Sequence, residues 1–369
     1  MQRIRIELDR GRSYPVLIGR DTLSVLPEQI RKLGLGESIF IVTDSRVKAL
    51  YGRKVREILK RGGFDDVALT DFPAGEKSKN WRTYLALLRK LAAFAAGKNK
   101  KLLLVNLGGG VVGDMGGFAA ATFKRGIDFV QVPTTLLANV DSGVGGKVGI
   151  DFERVKNLVG SFYQPKMVLV DLKLLDTLDR REIRSGLAEV VKYGVIKDAG
   201  LFAYLEKHCR EATDLVPSVV EKIVTRSYRI KAGIVEQDER DTAGIRIVLN
   251  YGHTIGHAVE AASNYRYSHG EAVSIGMVCS GDLACELGLF PRPTAVRVEK
   301  LLSGIGLPVR IAGVPRERIL HFLKFDKKAA AGTNRFILAR ALGRVVVRKG
   351  VAPELIRRVI QQRMTPSGR

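Results

Sequence analysis

The sequence predicts an α/β amino-terminal domain over residues 1–175 and an all-α carboxy-terminal domain over 176–369. Three observations carry that reading. The first half alternates short β-branched runs with longer helical patterns, which argues for a parallel sheet covered on both faces. A glycine cluster joins an apolar run to a helical pattern at 103–114. From residue 179 onward the texture is mostly helical. A chain of 369 residues suits two domains, at about 100–200 residues each.

Strands are expected at 3–9, 14–19, 38–44, 101–107, 128–132 and 167–171, with helices at 46–62, 79–96 and 111–122. The first of these, within Met1-Gln-Arg-Ile-Arg-Ile-Glu-Leu-Asp9, alternates charge and apolarity and lacks the apolar block of a signal peptide. Helices follow at 179–195, 199–209, 215–237, 253–263, 270–288, 293–305 and 315–325, and a short apolar hairpin pairs 335–338 with 344–348.

Composition narrows the classes. Hydrophobic residues make up 46% and charged residues 27%, enough for a packed core and against wholesale disorder. No uninterrupted apolar stretch reaches the roughly 18 residues of a membrane span. Cys209, Cys279 and Cys285 form no CxxC pair, which argues against a disulfide framework and fits a reducing compartment, with the cytoplasm as the expected address. Lysine and arginine outnumber acids 61 to 38, a net charge of +23. The cations are scattered and no nucleic-acid motif accompanies them, so the reading is a solvated basic surface without a nucleic-acid partner.

Three constellations carry chemistry. In Leu103-Leu-Val-Asn-Leu-Gly108-Gly-Gly-Val-Val-Gly113-Asp114, residues without side chains let backbone N–H groups approach a phosphate, and the following helix offers unpaired donors. A dinucleotide pyrophosphate is the natural guest. Asp44 ends an apolar run and suits ribose hydroxyls, and the loop Pro73-Ala-Gly75-Glu76-Lys77-Ser-Lys79 offers both signs of charge.

The second constellation is metal-binding. In Asn250-Tyr-Gly-His253-Thr-Ile-Gly-His257 the two imidazoles are four apart, so a helix places them on one face. His269-Gly-Glu271 follows, and Gly186-Leu-Ala-Glu189-Val-Val-Lys192 supplies a carboxylate on an apolar helix. Two imidazoles and a carboxylate around zinc, one position open, form a catalytic arrangement. The glycines beside each histidine are read as room for a ligand.

The third is Pro133-Thr134-Thr135 through Asp141 to Gly145-Gly146-Lys147, rich in hydroxyls and glycine. Lys156-Asn157, Lys231, Arg246, Asn250 and Asp326-Lys327-Lys328 follow. Such cations suit a substrate bearing phosphate and carboxylate.

Together these stretches resemble the 3-dehydroquinate synthase family of sugar phosphate cyclases, over nearly the whole chain. Gly108–Asp114, 131–149, 185–194, 231–260 and 269–277 carry the likeness. The resemblance implies a Rossmann-like NAD-binding domain and a helical domain holding metal and substrate. It implies metal ligands Glu189, His253 and His269, for zinc or cobalt, with His257 kept for substrate phosphate or proton relay. It implies NAD contacts from Asp44, Gly75, Glu76, Lys79, Gly109, Gly110, Gly113, Asp114, Thr134, Thr135 and Thr177, bordered by Asp141, Lys147 and Lys156. Catalytic and substrate contacts would be Lys147, Asn157, Lys192, Lys231, Arg246 and Asn250. Arg125 and Lys328, or its neighbour Lys327, would take the substrate phosphate, Arg125 across a homodimer.

The chain departs from the family pattern in places. Lys147-Val148-Gly-Ile-Asp151 stands for Lys-Thr-Gly-Ile-Asn, Val155 for a glycine, and Thr177-Leu178-Asp179 for Thr-Leu-Pro. The stretch 238–246 is one residue longer, with Asp241 for a glutamate. The implied reaction converts 3-deoxy-D-arabino-heptulosonate 7-phosphate to 3-dehydroquinate and phosphate. The rival readings are a sister cyclase making an inosose or valiolone, a metal-dependent polyol dehydrogenase, and a non-catalytic basic binding module.

Overall fold

The computed structural model describes the chain except residues 10, 154, 330–333 and 366–369, and the side chains of 324–329. It divides into two compact units, Met1–Leu178 with Lys231–Arg240, and Asp179–Ile230 with Asp241–Arg369. A single cut at 175/176 therefore misplaces 231–240. That segment belongs with the first unit because its side chains find partners there: Lys231 Nζ donates to the Asp141 carbonyl at 2.6 Å and to its Oδ1 at 2.9 Å. Glu239 forms a forked pair with Arg12, the closest bond 2.6 Å.

The first unit is built on a seven-stranded sheet. Its strands are β1 (Gln2–Ile6), β2 (Tyr14–Gly19), β3 (Ser38–Asp44), β4 (Val67–Phe72), β5 (Leu102–Gly108), β6 (Asp128–Pro133) and β9 (Met167–Asp171), with β7 (Lys147–Phe152) and β8 (Val155–Phe162) forming a separate antiparallel hairpin. The order is β1-β2-β9-β6-β5-β3-β4. All pairings are parallel except β1 with β2, so the sheet is mixed at one edge. Strands β3, β5 and β9 read as near-continuous apolar runs because both faces are covered. One face packs Ile39, Leu103, Val105 and Val130 under Leu26, Ile30 and Val55. The other packs Phe40, Leu104 and Phe129 under Leu87, Leu91, Met115 and Phe118.

Strand β4 escaped the sequence reading because Val67-Ala-Leu-Thr-Asp-Phe72 mixes apolar and polar residues, as an edge strand with partial exposure should. The β7–β8 hairpin escaped it too. Its glycines and hydroxyls read as loop, yet Gly149 and Gly160 face each other where a Cβ on either would meet backbone at 2.5 Å or less.

The second unit is mostly helical, with one hairpin of β10 (Arg335–Ala341) and β11 (Arg344–Lys349). Three helices frame its centre: Arg180–Ile196, His253–Ala262 and His269–Glu286. Each start has a local cause. Asp179, where the family pattern has proline, caps the first by accepting the Glu182 N–H at 3.0 Å. Ser268 and Glu271 form a reciprocal capping box for the third. Gly252, at φ +79°, turns the chain into the second.

Candidate active site

Glycine sets how the three central helices meet. A Cβ on Gly276 would lie 1.9 Å from the Gly252 carbonyl oxygen, and one on Gly256 3.0 Å from that of Ala272. Helices His253–Ala262 and His269–Glu286 are thus in backbone contact. A Cβ on Gly270 would lie 2.3 Å from Ser185 Cα, which brings in helix Arg180–Ile196. The expectation that glycines beside the histidines leave room for a ligand is corrected: Gly252, Gly256 and Gly270 leave room for a neighbouring helix.

That close packing gathers one side chain from each helix. Ligand atoms of Glu189, His253 and His269 lie within 4.8 Å of one another. His269 Nε2 is 2.9 Å from Glu189 Oε1 and His253 Nε2 is 3.6 Å from the same oxygen. His253 Nδ1 is 3.1 Å from the Tyr251 carbonyl. A carbonyl only accepts, so Nδ1 carries the proton and Nε2 presents a lone pair. Burial drives the His253 imidazole down to about 3, against the pull of Glu189, so it is neutral near pH 7. The His253 Nε2 lone pair thus faces an oxygen of the fully buried Glu189 side chain. A cation resolves that arrangement, and the ligand types suit zinc.

Around this group, Lys192 is buried and its ammonium pairs with Glu189 Oε2. The His257 ring centroid is 5.2 Å from that of His253 and 6.2 Å from that of His269. Glu260, which the sequence reading passed over, forms a further group with His257 and His269, its ligand atoms within 4.8 Å of theirs. Its spacing of three from His257 and seven from His253 places it on the same helix face, a signal present in the sequence. Arg246, nearly buried, and Asn250, exposed, sit on the short turn Arg246–Asn250. Lys328 falls outside the described side chains.

The first unit holds the glycine loop. Strand β5 ends at Gly108 and helix Gly110–Thr122 begins with no side chain capping it, so its first N–H groups have no side-chain acceptor. A Cβ on Gly109 would approach Thr135 Cγ2 to 3.0 Å, and one on Gly110 would approach Ser142 Oγ to 3.1 Å. Gly113 offers its carbonyl to Gln131 at 3.2 Å. Among the described residues, Thr134 Oγ1, Ser142 Oγ and the Asn139 side-chain amide are buried without a hydrogen-bond partner. Such orphaned groups cost about 1–3 kcal/mol each unless a ligand or water takes them.

The remaining first-unit residues divide into two sets. Asp44 Oδ1 accepts the N–H groups of Arg46 and Val47, each at 2.9 Å, and so caps the turn after β3. Lys79 pairs with Asp114 at 2.5 Å and donates to Asn157 Oδ1. Burial works against the Lys79 ammonium, yet Asp114 and Glu76 outweigh it and hold its pKa above the ordinary value. Lys156, on β8, lies 3.6 Å from Glu76, and Gly75, at φ +106°, precedes the turn that bears Glu76. Outside this cluster, Thr177 shares a hydrogen bond with the Tyr51 hydroxyl at 2.7 Å. Lys147 is exposed at the start of β7, 5.9 Å from the Phe162 ring. Arg125 is held at φ +66°.

Two family models and several known proteins match this chain over most of its length. Residues 69–185 match the sequence model described as 3-dehydroquinate synthase N-terminal, and residues 186–329 the one described as 3-dehydroquinate synthase C-terminal. A 3-dehydroquinate synthase of Desulforamulus reducens is 43% identical over 360 residues, covering 97% of this chain and 99% of that one. Among solved structures, a 2-epi-5-epi-valiolone synthase from Streptomyces hygroscopicus with NAD+ and Zn2+ bound superposes with TM-score 0.86 at 28% identity, covering 97% of this chain and 99% of its own. A 2-deoxy-scyllo-inosose synthase complexed with carbaglucose-6-phosphate, NAD+ and Co2+ gives TM-score 0.88 at 26% identity, covering 98% and 100%.

Proposed function

The chain belongs to the 3-dehydroquinate synthase family, and from that premise we propose that it converts 3-deoxy-D-arabino-heptulosonate 7-phosphate to 3-dehydroquinate and phosphate. The observation that carries the reading is the convergence of Glu189, His253 and His269 from three helices onto one point, in a chain that also builds an uncapped glycine loop. Identity of 43% to a 3-dehydroquinate synthase, against 26–28% to the two sister cyclases, favours this activity over theirs. A polyol dehydrogenase is the less favoured reading, since a probable glycerol dehydrogenase matches at 15% identity and shares the fold alone.

Both cofactors fit the residues present. The buried acceptor pair at His253 and Glu189 suits a divalent metal. The orphaned hydroxyls of Thr134 and Ser142, beside Gly109 and Gly110, suit a dinucleotide phosphate. When bound, the metal supplies Lewis-acid polarisation of a substrate hydroxyl, and NAD+ supplies reversible hydride acceptance.

The chain's own residues bind and orient. Lys192, locked against Glu189, supports a buried carboxylate that would otherwise carry unbalanced charge. His257 is the exposed imidazole of the cluster and suits holding a substrate phosphate or moving a proton at its ring nitrogen. Lys147, Lys231, Arg246 and Asn250 supply donors for the substrate's carboxylate, phosphate and hydroxyls. Arg125 and Lys328 are proposed phosphate contacts, Arg125 toward a second subunit.

A coupled phosphate-release assay tests the reading. Heptulosonate phosphate should release phosphate with no net NADH accumulation, and a chelator should abolish the release. Net NADH would indicate a dehydrogenase. Turnover of sedoheptulose phosphate or glucose 6-phosphate in its place would indicate a sister cyclase.

A further inference from the structure

The family resemblance implies that Asn157 contacts substrate, and the inference here rests on that reading and on the proposed function while adding what holds the residue in place. Asn157 lies on β8 at φ +54°, a left-handed conformation that few side-chain-bearing residues adopt and asparagine tolerates best. Its backbone N–H donates to Asp151 Oδ1 at 2.9 Å. Its side-chain oxygen accepts from the Lys79 ammonium. Lys79 is anchored in turn by Asp114 at 2.5 Å, and its carbonyl accepts the Asp151 N–H at 2.9 Å. The loop bearing Lys79, strand β7 and strand β8 thus close into one ring of hydrogen bonds.

The ring fixes polarity as well as place. An ammonium has only donors, so the Asn157 amide must turn its oxygen toward Lys79. Its NH2 group then faces away, and among the described residues no acceptor takes it. We propose that Asp151 is a positioning residue which, together with Lys79, presents Asn157 as a donor-only contact to an oxygen acceptor of the sugar-phosphate substrate. The carboxylate of Asp151 stabilises the left-handed backbone of Asn157 through a charge-assisted hydrogen bond. Its removal leaves the Asp151 backbone bond to Lys79 intact, so the loss falls on Asn157.

Steady-state kinetics of the full-length enzyme with NAD+ and zinc test this, with thermal melting as the check on folding. Asn157→Ala should lower kcat/KM at least about tenfold, and Asp151→Ala about tenfold, what one hydrogen bond to a charged group is worth. Asp151→Asn keeps an acceptor and should stay within about threefold of the parent, on the same reasoning. The Asp151→Ala/Asn157→Ala double variant should be no worse than Asn157→Ala alone, because Asp151 acts through Asn157. Asn157→Asp, which removes the donor end without touching Asp151, should be as impaired as Asn157→Ala. If Asn157→Ala is normal, its reading as a substrate contact fails and this proposal falls with it. If Asn157→Ala is impaired while Asp151→Ala is normal, or the two losses simply add, the positioning role alone is overturned. Near-normal activity of Asn157→Asp overturns the donor-only assignment. Should Asp151→Ala fail to melt cooperatively, Asp151→Val, which also lacks the acceptor and suits a strand, takes its place under the same criteria.

Discussion

At the scale of single residues, His253 and His257 show how burial separates two side chains of one type. His253 is nine-tenths or more buried and its Nδ1 is committed to a carbonyl, whereas His257 is exposed. His253→Ala should therefore abolish stoichiometric zinc, and His257→Ala should retain it while losing turnover; elemental analysis beside kinetics checks both. Cys279 gives a pH-dependent prediction. Burial pushes its thiol up to about 12, so the nucleophilic thiolate is scarce in the native chain. Iodoacetamide at about pH 8 should leave Cys279 unlabelled until denaturant is added, because an ordinary thiol titrates near 8.5; mass spectrometry of the alkylated peptides reads the result. The residue types of the metal group were legible in the sequence from the HxxxH spacing and the acid on an apolar helix. Polarity at Asn157 was not, because it depends on Lys79, 78 positions away.

At the scale of elements, the ligand group depends on helices that touch through glycine. Gly276→Ala forces a methyl group onto the Gly252 carbonyl, 1.9 Å away, and backbone cannot swing aside as a side chain can. It should cost at least the roughly 1–3 kcal/mol of an overpacked core and weaken zinc binding with it. Urea titration and zinc competition measure the two losses. Helix boundaries here were legible because caps and periodicity agree locally, as at Asp179 and Ser268. Strand β4 and the β7–β8 hairpin were not. Their pattern is set by partial exposure and by Gly149 meeting Gly160 across the ladder, which no local window of sequence reports.

At the scale of the whole molecule, a net charge of +23 gives an acidic substrate a long-range attraction that salt screens. Raising ionic strength from about 0.05 to 0.5 M should lower kcat/KM several-fold through KM, with kcat little changed, since the Debye length shrinks well below 10 Å. Equal rates across that range would show the charge to be idle in substrate capture. The return of Lys231–Arg240 to the first unit has a consequence for biosynthesis. A nascent chain that has emerged only to residue 178 carries Asp141 and Arg12 without Lys231 and Glu239, the partners they have in the finished protein. The amino-terminal unit completes these pairs only after the ribosome has also delivered 179–230, so its last contacts wait on sequence belonging to its neighbour.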